Sequence, residues 1–332
     1  MSRLAIVGGG SWGTALAVVL APRFSEVRLW VYETDLAERM RASRENDVYL
    51  PGHPLLPNVA VTSDLAVALD GAATVLSVMP SHHVRGLYRQ MLPLLDESMV
   101  FVSATKGLEN GSLLRMSEVI ADVLRERFDP RVVVISGPTF AREVARFEPT
   151  ALVAASADEA LAESVQASFS SPSFRLYSSP DPTGVELGGA IKNIVAIGSG
   201  VLHGMGLGHN VTAALITRGL AEMTRLAVAM GGRQQTLAGL AGLGDLVLTC
   251  TGELSRNRTV GVELAHGRKL DEIVAGMKMV AEGIKTTNAA VDLARRYDVE
   301  MPIAEQMYQM LHFGVSPREA VQRLMVRSLK GE

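Results

Sequence analysis

The first seventeen residues leave few folds open to this chain. Leu4-Ala5-Ile6-Val7 is a short apolar run suited to a buried strand. It leads into Gly8-Gly9-Gly10-Ser11-Trp12-Gly13, and Thr14-Ala15-Leu16-Ala17 continues as an alanine-rich helical stretch. Gly8, Gly10 and Gly13 fall at the G-x-G-x-x-G spacing. The first allows a tight turn out of the strand, the second lets backbone approach a pyrophosphate, and the third lets the helix pack closely on the strand. The start of that helix offers unpaired N–H groups and a positive dipole end to an anion. Glycine-rich turns also arise from packing alone, so context decides. Val27-Arg28-Leu29-Trp30-Val31 has the character of a second strand. Glu33 follows about twenty residues past the last glycine, where a carboxylate accepts from a ribose hydroxyl. Strand, turn, helix, strand and acid in this order favour a dinucleotide-binding unit over the packing alternative.

The alternation continues. Strands are expected at Val59–Thr62, Thr74–Val78, Met99–Ser103 and Val132–Ile135, with helical stretches at Leu36–Arg44, Val84–Met91 and Leu113–Arg125. Ala151–Ala155 and Phe174–Tyr177 flank a helical Asp158–Phe169 and are candidates to extend the sheet. Tyr49 to Pro57 carries too many breakers for a regular element. Near Gly184 the strand signal stops, and helical stretches follow from Val185–Leu202 to Pro317–Met325. The fold class is therefore α/β, an N-terminal parallel, doubly wound Rossmann-type sheet followed by an all-α C-terminal domain. The expected boundaries are 1–189 for the dinucleotide-binding domain and 190–332 for the helical, substrate-binding domain.

Composition excludes several partners. A net charge of −3, spread over both signs along 332 residues, gives no basic surface for nucleic acid. The single cysteine, Cys250, cannot form an intrachain disulfide and fits a reducing compartment. Glycines interrupt the apolar start, unlike a signal peptide. The run from Ile191 to Leu207 is broken by Lys192, Asn193 and glycines, so no stretch is expected to span a membrane, and the chain is expected in the cytoplasm.

In doubly wound sheets ligands bind beyond the carboxyl ends of the strands. Ala104-Thr105-Lys106-Gly107 and Ser136-Gly137-Pro138-Thr139-Phe140 follow strands there. Together with the glycine turn, Glu186-Leu187-Gly188-Gly189-Ala190-Ile191-Lys192-Asn193, Ala241 to Cys250, and Ser255-Arg256-Asn257-Arg258, these segments resemble in order the signatures of bacterial glycerol-3-phosphate dehydrogenase [NAD(P)+]. The resemblance covers essentially the whole chain. It implies reduction of dihydroxyacetone phosphate by NADH or NADPH to sn-glycerol 3-phosphate, a precursor of phospholipids, by a cytoplasmic homodimer. It also implies Lys192, Lys106 and Asp245 as catalytic residues. The implied substrate contacts are Lys106, Gly137, Thr139, Lys192, Asn193, Asp245, Thr249, Ser255, Arg256 and Asn257. The implied coenzyme contacts are Gly8, Gly10, Ser11, Trp12, Gly13, Glu33, Lys106, Ala141, Arg256, Val280 and Glu282.

Each residue has a plainer alternative. Lys192 sits in an apolar stretch, where a lysine either has a partner and a task, as general acid/base, or snorkels to solvent. Asp245 either contacts substrate near Lys192 or caps the helix ahead of Leu246. Ser255-Arg256-Asn257 is either a phosphate cradle, served by the planar fork of arginine, or a solvated basic turn. Trp12 alone would be ordinary core packing. Cys250 has the character of a buried small hydrophobe. The seven histidines show no ligand spacing, so no metal is expected; His203 and His209 are expected in a surface loop. Val31-Tyr32-Glu33 offers a carboxylate where many family members carry a base, which predicts that NADH serves at least as well as NADPH. A related β-hydroxyacid or ketol-acid reductoisomerase-like enzyme and a nucleotide sensor without turnover are the competing readings.

Overall fold

The computed structural model describes residues 2–277 and 281–328. Its strands are β1 (Arg3–Val7), β2 (Glu26–Trp30), β3 (Glu45–Asn46), β4 (Leu50–Pro54), β5 (Val59–Thr62), β6 (Thr74–Ser77), β7 (Val100–Ser103), β8 (Arg131–Ser136), β9 (Thr150–Ala155) and β10 (Phe174–Ser179). Eight of them form one sheet in the order β10-β9-β8-β7-β6-β1-β2-β5. Contacts divide the chain into two compact units, residues 1–106 with 114–186, and residues 107–113 with 187–332.

The first unit is the sheet and its flanking helices. Leu4, Ala5, Ile6 and Val7 are all fully buried because β1 is covered on both faces. Leu4 and Ile6 point into one core with Leu16 and Leu29, while Ala5 and Val7 point into another with Tyr88 and Phe101. From β1 the chain proceeds to β2 on one side and later returns to β6 on the other. The sheet's order therefore reverses between β1 and β6, which opens a crevice at their carboxyl ends.

Two expectations about this unit are corrected. The sheet is not parallel throughout, because β9 runs antiparallel to β8 and β10 then pairs parallel with β9. The proline-rich segment does hold a regular element: β4 pairs antiparallel with β3 in a separate two-stranded ribbon. The prolines are tolerated because such a ribbon has free edges where a missing N–H costs nothing. Gly52, at φ +83°, donates its N–H to the Glu45 carboxylate at 2.7 Å instead of to a ladder.

From residue 187 on, the regular elements among the second unit's described residues are all helices, and the unit is threaded by the long Pro182–Gly204 helix, which starts in the first unit. By length and composition this helix could cross a membrane, contrary to the expectation that none would, but its apolar window is wholly buried within the protein. Its glycines let other backbones touch it. A Cβ on Gly188 would stand 2.5 Å from the Ala241 carbonyl oxygen, and one on Gly200 would stand 1.9 Å from that of Arg258. These approaches bring the Leu240–Gly244 turn and the Arg256–Ala265 helix against the Lys192 helix.

Candidate functional site

The glycine turn lies at the crevice between β1 and β6. Gly8 has φ +126°, and a Cβ there would come 2.5 Å from the Val78 carbonyl oxygen at the end of β6. A Cβ on Gly13 would meet the Gly8 carbonyl oxygen at 1.8 Å, so the helix is pressed onto the strand it follows. Gly10 differs: a Cβ there meets nothing within 4 Å, so its face is open. Gly10 precedes the Ser11–Leu20 helix, which has neither a side-chain cap bond nor an acid in its first turn. Open backbone, uncapped amides and a first turn without an acid suit the pyrophosphate of a dinucleotide. Ser11 and Trp12 lie in that first turn, and Trp12 also packs partly on the core. Ala141 begins a short helix, Ala141–Ala145, that packs against the Ser11–Leu20 helix. Glu33 is exposed just after β2 and accepts a hydrogen bond from the Tyr49 hydroxyl at 2.7 Å.

Three predicted substrate residues of this unit meet at one carbonyl. The Lys106 ammonium and the Thr139 hydroxyl donate to the Gly137 oxygen, at 3.0 and 3.1 Å. Gly137, at φ +155°, fits closely against Leu152, whose Cα would be 2.8 Å from an added Cβ. Glu186, the first residue of its signature, has a structural place. It accepts from Arg115 and from the Ser117 hydroxyl and amide at 2.6, 2.6 and 2.8 Å. Burial pushes its carboxyl up from the ordinary value against the pull of Arg115.

In the second unit Lys192 does not snorkel. It is 6 % exposed, Asp245 is 1 % and Thr249 is 5 %. The Lys192 ammonium donates to the Asp245 carboxylate and, at 2.7 Å, to the Thr249 hydroxyl. Thr249 in turn donates to the Asp245 backbone oxygen at 2.6 Å. Asp245 is no cap: Gly244 precedes the Asp245–Thr251 helix without a side-chain cap bond, and Asp245 is its first residue. The arrangement follows from helical spacing. Lys192 lies four residues after Gly188 and Asp245 four after Ala241, so each stands one turn beyond the close approach of Gly188 to Ala241. Burial pushes the neighbouring Cys250 thiol up to about 12, which leaves it inert.

The triplet Ser255-Arg256-Asn257 opens the Arg256–Ala265 helix. Ser255 is its N-cap and accepts from the Arg258 amide at 3.2 Å. Asn257 turns inward, donating to Asn193 at 3.0 Å and accepting from the Gly283 amide at 3.0 Å. Desolvation lowers the Arg256 pKa from its ordinary value, and the Glu282 carboxylate opposes that shift. Val280 lies outside the described residues. His203 is in the last turn of the Pro182–Gly204 helix and His209 begins the next helix, so neither is in the loop between.

The descriptions "NAD-dependent glycerol-3-phosphate dehydrogenase N-terminus" and "C-terminus" match residues 3–162 and 181–322. The chain belongs to the NAD-dependent glycerol-3-phosphate dehydrogenase family. It is 60 % identical over 329 residues to glycerol-3-phosphate dehydrogenase [NAD(P)+] of Koribacter versatilis, covering 98 % of each chain. It is 56 % identical to the protein of that name in Acidobacterium capsulatum, over the whole of both. The crystal structure of glycerol-3-phosphate dehydrogenase from Coxiella burnetii superposes with a TM-score of 0.93 at 42 % identity, covering 98 % of this chain and 99 % of that one.

Sequence reasoning passed over Asn46. It is fully buried and donates to both the Gly9 oxygen and the Thr14 hydroxyl at 2.8 Å, while accepting from the Tyr49 amide at 2.9 Å. It ties the glycine turn to the segment that carries Tyr49. A lone asparagine among polar residues gives no sequence signal for such a role.

Proposed function

We propose that this chain catalyses the reversible, NAD(P)H-dependent reduction of dihydroxyacetone phosphate to sn-glycerol 3-phosphate, with Lys192 as the acid that protonates the ketone oxygen. The observation that carries this reading is the buried ammonium of Lys192, held by a carboxylate and a hydroxyl. An ion pair removed from water is a weak source of stability, so its presence calls for a task. When bound, the nicotinamide supplies a hydride to the carbonyl carbon. The oxygen then carries negative charge, and the Lys192 ammonium donates the proton that completes the hydroxyl. In the oxidative direction the neutral amine takes that proton back. Asp245 and Thr249 fix the direction of the amine.

The phosphate end of the substrate suits Ser255, Arg256 and Asn257, where a helix N-terminus and a guanidinium fork combine. Asn193 holds Asn257 in place. We also assign Lys106, the Gly137 amide and the Thr139 hydroxyl to substrate binding. The dinucleotide is held by Gly8, Gly10, Ser11, Trp12 and Gly13, with Glu33 at its ribose and with Ala141, Lys106, Arg256, Val280 and Glu282 as further contacts. We read the working form as a cytoplasmic homodimer that supplies glycerophospholipid synthesis. The test is a coupled assay. Purified chain should oxidise NADH or NADPH with dihydroxyacetone phosphate, and should not reduce NAD(P)+ with 3-hydroxyisobutyrate. Turnover of the second substrate without the first would overturn the reading.

A further inference from the structure

The end of β2 touches the glycine turn. A Cβ on Gly9 would stand 2.6 Å from Cγ2 of Val31, and Glu33 follows two residues later. Glu33 is exposed, and Tyr49 donates to its Oε1 at 2.7 Å. Tyr49 is itself located by Asn46, the same buried amide that pins Gly9 and Thr14. One side chain thus sets both the turn that suits a pyrophosphate and the tyrosine that fixes the acid.

The arginines of the segment that follows pair with other groups, Arg39 and Arg41 through exposed side chains. Arg39 donates to Asp47 at 3.2 and 3.4 Å, Arg41 lies 3.9 Å from Glu38, and Arg44 donates to the Leu56 carbonyl. A 2′-phosphate on the adenosine ribose needs a cation, whereas a 2′-hydroxyl needs an acceptor.

We propose that Tyr49 and Glu33 act together as the reader of the ribose 2′ position, and that the pair selects NADH over NADPH. The inference rests on the dinucleotide reading above and adds Tyr49 as a positioning residue. Tyr49 holds the carboxylate so that its remaining acceptor sites meet a 2′-hydroxyl and its charge repels a 2′-phosphate. The Glu33 bond pushes the Tyr49 phenol up to about 12, so the hydroxyl keeps its proton and remains a donor through the working range of pH.

Binding titrations test the pair without relying on turnover. The probes are NADH and NADPH, and the fragments adenosine 5′-diphosphate and adenosine 2′,5′-bisphosphate. The proteins are the unaltered chain, Tyr49→Phe and Glu33→Gln. The unaltered chain should bind NADH at least about tenfold more tightly than NADPH, the scale of one charge-assisted hydrogen bond. Tyr49→Phe removes only a hydroxyl and should narrow that ratio several-fold; Glu33→Gln, at an exposed position, should nearly abolish it. The fragments should follow the same order. A preference for NADPH, or a ratio unmoved by both substitutions, would overturn the pair while leaving the dinucleotide reading intact. Binding of neither dinucleotide would overturn both.

Discussion

The glycine turn and the lysine cluster are built by opposite means. The turn is main chain, made by residues within one short stretch, and its character comes from side chains that are missing: Gly8, Gly10 and Gly13. The cluster is made of side chains. Lys192 and Asp245 stand 53 positions apart and meet because Gly188 lets the Ala241 backbone approach the long helix. Adding atoms should therefore break the first region, and removing atoms should break the second.

The largest effect is expected from Asp245→Ala. It strands the buried Lys192 ammonium without its carboxylate, at a cost of about 3–5 kcal/mol. Urea unfolding should show that loss, and turnover should fall with it while NADH still binds. An unchanged unfolding midpoint would mean that Asp245 does not offset the lysine. Asp245→Asn, which keeps an acceptor, should fall between the two.

Gly13→Ala makes the opposite test. The added methyl would lie 1.8 Å from the Gly8 oxygen, so strand and helix must separate. A stability loss of about 1–3 kcal/mol and weakened dinucleotide binding are expected. Normal binding and melting would show that the turn tolerates added bulk.

The smallest effect concerns a group outside both regions. Glu222 accepts from the Ile303 and Ala304 amides at 2.8 and 3.2 Å, and burial raises its carboxyl from 4.5 to about 7. The native state keeps a proton that the unfolded state has lost between those values, so this group's contribution to stability falls as pH rises from about 4.5 through about 7. Melting curves of Glu222→Gln across that range should lose this downward slope. An identical slope in the variant would assign the pH dependence elsewhere.

The contrast also explains what could be read in the sequence. Strands such as Val59–Thr62 and helices such as Val84–Met91 were legible because periodicity and breakers are local signals. The glycine turn was legible for the same reason. The β3–β4 ribbon was not, since Pro51 and Pro54 mask a strand whose pairing depends on Glu45. A cap remained an alternative for Asp245 in the sequence because the turn before it, Leu240–Gly244, is wound as a π-helix that no local pattern announces. Lys192 could be singled out as an oddity in an apolar run, but its partners could not be found from spacing. Asn46 and Tyr49 gave no signal, because their meaning lies in contacts with Gly9 and Glu33 across the fold.

The central claim is that the Lys192 amine protonates the ketone. The most direct measurement is the rate of dihydroxyacetone phosphate reduction by folded Lys192→Ala, with and without added small primary amines. The account predicts a fall of about 10²–10⁴-fold with coenzyme affinity retained, and partial recovery as amine is added. A variant that turns over at the unaltered rate would contradict it.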